Sequence, residues 1–456
     1  MLDVGRHPNI ELLAYSEVEN LEGEAGDFTA TIRKKARYVD EDKCTGCGEC
    51  TQKCPTTVVD AFDEGLSTRK AIYSWFAQGI PSTHTIDPDH CRQLQGKKCG
   101  ICAKTCKAEA INFEQTDRLL ERKVGAVVVA TGYTVFDPVR IPEYRYRDLP
   151  NVVTAMEFER MLSASGPTAG HLERPSDRAI KSEIADLEKQ LNKTRKALDK
   201  YEKDRGMDSA EVHGRFTRGE LAEDEELTKW ARRYEEYQAV NRRLESLKAR
   251  AEEFEDAKKL AFIQCVGSRD LRFYPFCSGY CCMHSIKEAI IAHEHEPSTQ
   301  STIFGMDIRA VGKGFEEYKL RGQSNANITY RRARVAEIDS GKRDNPVVVY
   351  EDTLEQKVKR EEFDLVILAT ACAPHNGISE LAATLGLELD QHGFFRTHAS
   401  HPMDASKYGV FVCGCANSPM DIPESVAQAS SAAARAVQVL TGLDREGSLQ
   451  AAEEAS

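Results

Sequence analysis

Cys44-Thr-Gly-Cys47-Gly-Glu-Cys50-Thr-Gln-Lys-Cys54-Pro55 is the stretch on which the architecture turns. Its spacing, C-x2-C-x2-C-x3-C-P, is that of a bacterial ferredoxin. A second run, Cys91-x7-Cys99-x2-Cys102-x3-Cys106, repeats it with a stretched first interval. In two-cluster ferredoxins the fourth cysteine of each run binds the other cluster. Cys44, Cys47, Cys50 and Cys106 are therefore expected to hold one [4Fe–4S] cluster, and Cys91, Cys99, Cys102 and Cys54 a second. Pro55 turns the chain away from the iron. Gly46, Gly48 and Gly100 let backbone N–H groups approach the sulfides. Zinc is the competing reading, but zinc ribbons pair C-x2-C with C-x2-C and need no third cysteine three residues on.

Outward from these runs, the module is bounded at about 39–115. Ala108-Glu-Ala-Ile-Asn-Phe closes its second half as Pro55-Thr-Thr-Val-Val-Asp closes the first. Before it, residues 1–38 hold two strand-like stretches, Ile10–Tyr15 and Phe28–Arg33, rich in β-branched residues and alternation. After it, Val124-Gly-Ala-Val-Val-Val-Ala-Thr131-Gly132-Tyr reads as an apolar strand buried on both faces of a parallel sheet. Phe363-Asp-Leu-Val-Ile-Leu-Ala-Thr-Ala-Cys372 echoes it. Two such elements mark an α/β flavoprotein with two dinucleotide domains. Segments 1–38, 116–150 and 373–456 are assigned to one of these, and 151–179 with 257–372 to the other.

Residues 180–256 differ in kind. Ile184, Leu187, Leu191, Thr194, Leu198 and Tyr201 step by threes and fours, as do Leu227, Trp230, Tyr234, Tyr237, Asn241 and Leu244, with Lys, Arg and Glu between. This pattern predicts an antiparallel coiled-coil hairpin, with Gly206 and Gly214 at its turn. It is read as a solvated insertion or as a docking arm for a partner.

Bulk properties narrow the function. The 456 residues carry a formal net charge of −12, with 29% charged residues, so nucleic acid is not an expected partner. No apolar run reaches the roughly 18 residues a membrane helix needs. Clustered thiols without an export signal point to a reducing cytoplasm.

A third group, Cys265, Cys277, Cys281 and Cys282, lies within 18 residues. Spacing leaves it open between a cluster, a reactive dithiol and zinc. Cys372, Cys413 and Cys415 stand at carboxyl ends of expected sheet strands, where cofactors bind in open α/β folds. They are read as small residues lining a flavin pocket or as redox thiols. A strand ending at Gly414 and a small-residue helix opening at Asp421-Ile422-Pro-Glu-Ser425 complete that edge. No G-x-G-x-x-G follows a strand, so either a separate chain supplies the half-domain that seats a dinucleotide pyrophosphate or the FAD site is degenerate.

Several motifs together resemble one family, the A subunits of heterodisulfide reductase, which carry the flavin and iron–sulfur clusters in methanogens and many anaerobic bacteria. They are Asp3-Val-Gly-Arg-His-Pro-Asn-Ile, the first cysteine run, Phe62-Asp-Glu-Gly-Leu, Ile86-Asp-Pro-Asp-His-Cys91, Gln264-Cys-Val-Gly-Ser-Arg-Asp, Cys277-Ser-Gly-Tyr-Cys-Cys-Met, Met306-Asp-Ile-Arg and Asp421-Ile-Pro-Glu-Ser-Val-Ala-Gln-Ala. The resemblance implies a thioredoxin-reductase-like core carrying an inserted ferredoxin domain. It implies a third cluster on Cys265, Cys277, Cys281 and Cys282, and a lysine near the reactive flavin nitrogen, here Lys287. FAD contacts are expected at Thr131, Gly132, Gly414, Asp421, Ile422 and Ser425. The implied activity is electron transfer between FAD and clusters, with bifurcation at the flavin. The alternative is a flavin-free relay and scaffold. Implied partners are the B and C subunits of heterodisulfide reductase, or hydrogenase, formate dehydrogenase or aromatic-ring reductase modules.

Overall fold

The computed structural model describes residues 2–76, 78–220, 225–325 and 327–442. The tail beyond Leu443, expected to fray, lies outside them. The largest unit is a five-stranded parallel sheet. Its spatial order is Val152–Thr154, Leu365–Thr370, Lys259–Val266, Gln300–Gly305 and Ile328–Arg332. Successive side chains point to opposite faces, and here both faces are dry. Leu260, Phe262 and Ile303 pack against the helices Ala155–Leu162 and Cys281–His295. Ala261, Ile263 and Phe304 pack the other way, against an antiparallel meander of Val335–Ser340, Pro346–Asp352 and Lys357–Glu362. That is why strands such as Leu365–Thr370 read as unbroken apolar runs.

Three separated stretches build a second core: Leu21 and Phe28, then Val129, then Phe395, Val410 and Val412. Its first strand runs Ser16–Glu22 rather than 10–15. The Tyr15 carbonyl accepts the Lys35 N–H at 3.0 Å, but among the described residues, 10–14 join no ladder, and the paired strand with Phe28–Lys34 begins at Ser16. The expected continuous strand from Val124 is split: Arg118–Val124 ends one sheet, and Val127–Val129 begins another, in parallel with Val410–Val412.

Phe28–Lys34 pairs antiparallel with Arg118–Val124, so that Lys34 faces Arg118. The cysteine module leaves and rejoins the fold at adjacent positions, which makes it an insertion in a hairpin. Its two halves repeat in detail. Gly48 (φ +80°) and Gly100 (φ +93°), both left-handed, start the short helices Glu49–Lys53 and Ile101–Thr105. Only a residue without a Cβ takes that conformation at little cost. Cys50 and Cys102 are buried in these helices, and Cys54 and Cys106 terminate them in extended conformation.

Among its described residues the insertion 180–256 is helical, with three helices instead of two. Pro175–Arg205 and Glu225–Ala251 pack together, and Ser209–Thr217 crosses their tip. Gly206 ends the first helix in left-handed geometry, while Gly214 lies inside the extra helix and not in a turn. Leu198, Val212, Trp230 and Ala231 form a closed core there. Trp230 stacks on Tyr201 and donates Nε1–H to Ser209 Oγ at 2.9 Å. At the base, the fully buried Asn151 Nδ2 donates to Ser176 Oγ and to the Asp344 carbonyl, both at 3.0 Å. Among the described residues no helix is long and apolar enough to cross a membrane.

Candidate functional site

The cysteines of the inserted module ring two separate hollows. One, with a cavity volume of about 370 Å³, is lined by Cys44, Cys47, Cys50 and Cys106, with His84 beside them. The other, narrower at about 20 Å³, is lined by Cys54, Cys91, Cys99 and Cys102. Each hollow thus takes three thiols from one run and the fourth from the other. Burial raises the Cys50 thiol, and the Cys44 and Cys106 thiols add to that rise. Burial pushes Cys102 up to about 12, with Cys91 and Cys54 adding to it. Thiols held this far from ionisation by the protein alone become thiolates when a metal centre supplies the opposing charge. Among the described residues no group of three or more His, Cys, Asp or Glu side chains is placed to hold a single metal ion.

The third group is assembled by a defect in the parallel sheet. The register between Lys259–Val266 and Leu365–Thr370 slips between Ile263 and Val266. Cys265 sits in that bulge at φ +61°, a conformation that costs a non-glycine residue about 1–3 kcal/mol and that gathers at functional sites. Gly267, at φ +84°, follows because a Cβ there would lie 2.5 Å from the Phe136 ring. Cys277 Sγ accepts the Gly279 N–H at 3.4 Å. Cys281 and Cys282 open the helix Cys281–His295. The four thiols act on one another: burial, then Cys282, Cys265 and Cys277, raise Cys281. Burial, with Cys265 and Cys277, pushes Cys282 to about 11, against a backbone hydrogen bond from Arg309. Arg269 bonds to Cys265 and pairs with Asp307, so the Met306–Arg309 stretch closes over this group.

Beside it opens a cavity of about 760 Å³. Gly132, Gly414, Asp421, Ile422, Ser425 and Lys287 all line it. Thr131 does not; it stands exposed at the rim. Tyr133 and Tyr280, in ring contact at 5.8 Å, line it too, with Met283, Phe315 and Cys415. Sequence periodicity had no means of finding these, although both tyrosines adjoin motif residues. Lys287 Nζ lies 3.9 Å from Glu159 Oε1. The next residue, Glu288, is fully buried and meets His284 Nε2, one turn back, at 2.8 Å. Burial raises the Glu288 carboxyl well above its usual range. Burial, then Lys287, pushes His284 down to about 4. Burial thus disfavours charge on both members of the pair, and Lys287 faces the cavity beside the Glu159 carboxylate.

The last helix, Ile422–Leu440, starts at the cavity with a reciprocal cap. Asp421 Oδ1 accepts the Glu424 N–H at 2.8 Å, and Glu424 Oε2 accepts the Asp421 N–H at 3.1 Å. The cap occupies the Asp421 carboxylate and the Glu424 N–H. Pro423 has no N–H and the Asp421 carboxylate is spent on the cap, which leaves the Ile422 N–H for a ligand. Gly414 holds its turn by donating to Gln428 Oε1 at 3.0 Å.

Residues 37–59 match the model of the 4Fe-4S binding domain family. Over its length the chain is similar to heterodisulfide reductase A subunits. The A subunit of the H(2):CoB-CoM heterodisulfide,ferredoxin reductase of Methanothermobacter thermautotrophicus is 36% identical over 439 residues, 96% of this chain and 54% of that protein. The A subunit of the ferredoxin:CoB-CoM heterodisulfide reductase of Methanosarcina acetivorans is 38% identical over 97% of this chain and 49% of its own length. The chain spans about half the length of these curated relatives. Among solved structures, thioredoxin reductase of Lactococcus lactis overlaps 82% of this chain and 86% of its own, at 13% identity and a TM-score of 0.35. Within the span it shares with those relatives, the chain belongs to the family of heterodisulfide reductase A subunits.

Proposed function

We propose that this chain is the iron–sulfur flavoprotein unit of a heterodisulfide-reductase-like complex, passing electrons between FAD in the large cavity and three [4Fe–4S] clusters. The observation that carries it is the exchange of fourth cysteines between the two hollows. That exchange is the ligand logic of two-cluster ferredoxins, and a zinc ribbon has no use for it. Cys265, Cys277, Cys281 and Cys282 would hold the third cluster beside the cavity, and the donor set suits iron–sulfur chemistry. FAD, when bound, supplies the exchange between two-electron and one-electron steps. The chain's own residues then bind and orient it: Gly132 and Gly414 allow close backbone approach, the Ile422 N–H offers a donor, and Lys287 presents positive charge where a reduced ring gathers negative charge.

The relatives' names pair a heterodisulfide with ferredoxin as substrates of one reductase. Two acceptors of that kind support bifurcation of an electron pair at this flavin. The B and C subunits of heterodisulfide reductase, hydrogenase, formate dehydrogenase or aromatic-ring reductase modules are the proposed partners.

The dinucleotide side of the fold favours a further segment. Val127–Val129 and Val410–Val412 form a two-stranded parallel sheet, whereas parallel sheets are normally wider and covered on both faces. Val128 beside it is exposed, as are Ile422, Val426, Val437 and Leu440 on the last helix. A strand and helix carrying a glycine-rich turn would cover that surface and complete the FAD site.

The test is cofactor content after anaerobic preparation. Three cubanes require about twelve iron and twelve sulfide per chain by simple multiplication, together with a yellow flavin released on denaturation. Zinc without sulfide would overturn the cluster reading. Full iron without flavin, even after FAD is added, would leave the flavin-free relay.

A further inference from the structure

Three cysteines fall outside the twelve assigned to clusters, and two of them meet. Cys372 begins the strand Cys372–Pro374, which pairs antiparallel with Tyr133–Val135. Cys415 sits in the tight turn Gly414–Ala416, and these two elements pack together. The two sulfurs lie close enough to act on each other directly, and Cys415 Sγ also donates to the Met420 carbonyl at 3.4 Å. Cys415 is partly exposed and lines the cavity, while Cys372 is fully buried behind it. The Cys372 backbone N–H donates to the buried Ser278 Oγ at 3.0 Å, which fixes the strand that carries this thiol.

The surroundings divide the pair chemically. The hydrogen bond from Cys372, foremost, holds the Cys415 thiol down to about 7, with a backbone hydrogen bond at Met420 helping against burial. The same hydrogen bond and burial raise Cys372 far above its usual range. The two sulfurs thus bias each other's ionisation, Cys415 toward the thiolate and Cys372 toward the thiol. A low-lying, accessible thiolate beside a buried partner thiol is the arrangement of a reactive dithiol. Cys281, a proposed ligand of the third cluster, is close enough to act electrostatically on Cys372, and Tyr133 feels Cys372, Cys415 and Cys281 together. The pair therefore lies between the third thiol group and the cavity.

We propose that Cys372 and Cys415 form a dithiol/disulfide couple that exchanges two electrons with a flavin seated in the cavity, a role that rests on the flavin reading above. Closing the couple makes one S–S bond, with Cys415 reacting as its thiolate and Cys372 giving up its proton. The two electrons and that one proton pass to the oxidised isoalloxazine, which becomes the anionic reduced flavin. The reverse step reopens the couple at the flavin's expense.

The experiment uses cluster-loaded protein, reduced with dithiothreitol and desalted anaerobically, to which one equivalent of FAD is added. Free thiols are alkylated, and peptides are mapped by mass spectrometry while flavin absorbance is followed. The expected result is bleaching of one two-electron equivalent, with Cys372 and Cys415 escaping alkylation together as a linked peptide 2 Da lighter than the sum. Cys372→Ser should bind FAD as before, because Cys372 is not among the cavity-lining residues, but should lose both the link and the thiol-dependent bleaching. Bound FAD that stays oxidised over two alkylatable thiols overturns the couple. If FAD does not bind, the flavin reading fails by itself, and glutathione disulfide serves as oxidant. A Cys372–Cys415 link then upholds the couple, and two free thiols overturn it.

Discussion

Arg160 donates two hydrogen bonds to Asp63 Oδ1, from Nε at 3.0 Å and Nη2 at 2.9 Å, and both side chains are mostly buried. The pair joins the inserted ferredoxin module to the helix Ala155–Leu162 of the parallel-sheet unit. The Arg160 guanidinium also lies over the Phe62 ring at 4.6 Å. Phe62, Asp63 and Leu66 belong to the loop that separates the two cysteine runs, and Leu66 packs on the sheet's helical core. Removing one partner of a largely buried ion pair strands the other, at a cost of about 3 kcal/mol. Arg160→Ala should therefore loosen the module without emptying it. Limited proteolysis between 60 and 84 should speed up, while iron per chain stays constant. A parallel loss of iron would show that the contact holds the cluster sites themselves.

The exchanged cysteines give the sharpest test of connectivity. Cys47→Ala and Cys102→Ala each remove a ligand from a different hollow. Each variant should lose about four iron atoms, one cubane, and keep the other ferredoxin-type signal in electron paramagnetic resonance. Cys106→Ala should then lose the same signal as Cys47→Ala, although Cys106 lies in the other run. If Cys106→Ala instead mimics Cys102→Ala, each run binds its own cluster and the exchange is wrong.

Gly267 and Phe136 show what a bulge demands of its neighbours. A Cβ on residue 267 would stand 2.5 Å from the Phe136 ring, and that ring is 2% exposed, in edge contact with Phe273 and Tyr274. It has nowhere to move. Gly267→Ala adds the left-handed penalty of about 1–2 kcal/mol to an overpacking cost of about 1–3 kcal/mol. The expected outcome is a distorted Cys265 bulge. The cluster on Cys265, Cys277, Cys281 and Cys282 should be lost, while the two ferredoxin-type signals persist.

Trp230 tests whether the helical arm stands alone. Its side chain is 1% exposed, and its partners Tyr201, Ser209 and Val212 all belong to the insertion. Trp230→Ala should cost about 3–5 kcal/mol, confined to that small core. Hydrogen exchange should accelerate across 198–237, with iron content and exchange in the parallel sheet unchanged.

Much of this was legible because it is local. The cysteine spacings name their chemistry, the apolar runs name buried strands, and Pro423 before a run of small residues marks the start of the last helix. What stayed hidden depends on contacts across the chain. Among the described residues, 10–14 have a strand's alternation but no ladder to join, and Ser16–Glu22, more polar, has one. The Cys265 bulge arises from a register slip against a strand about a hundred residues away. Residues 209–217 form a helix because Val212 and Ser209 complete the pocket around Trp230, and no periodicity announces that. The Cys372–Cys415 contact joins the ends of two strands from different cores, so sequence placed both thiols at a cofactor edge without pairing them.

That contact also sets a pH dependence. An ordinary thiol loses its proton near 9, whereas the Cys372 hydrogen bond holds Cys415 at about 7. The thiolate is the form that alkylates. In flavin-free, cluster-loaded protein, the rate of Cys415 modification by iodoacetamide should rise about tenfold per pH unit below 7, because the thiolate fraction does, and level off above it. Cys372→Ala removes the donor, so the midpoint should move upward toward 9, and modification at pH 7 should slow even though the substitution opens space beside the target. Cys372→Ser keeps a hydroxyl donor and should give an intermediate midpoint. A profile centred near 9 in the unaltered protein would show that the two sulfurs do not share a proton, and Cys415 would then be only a wall of the cavity.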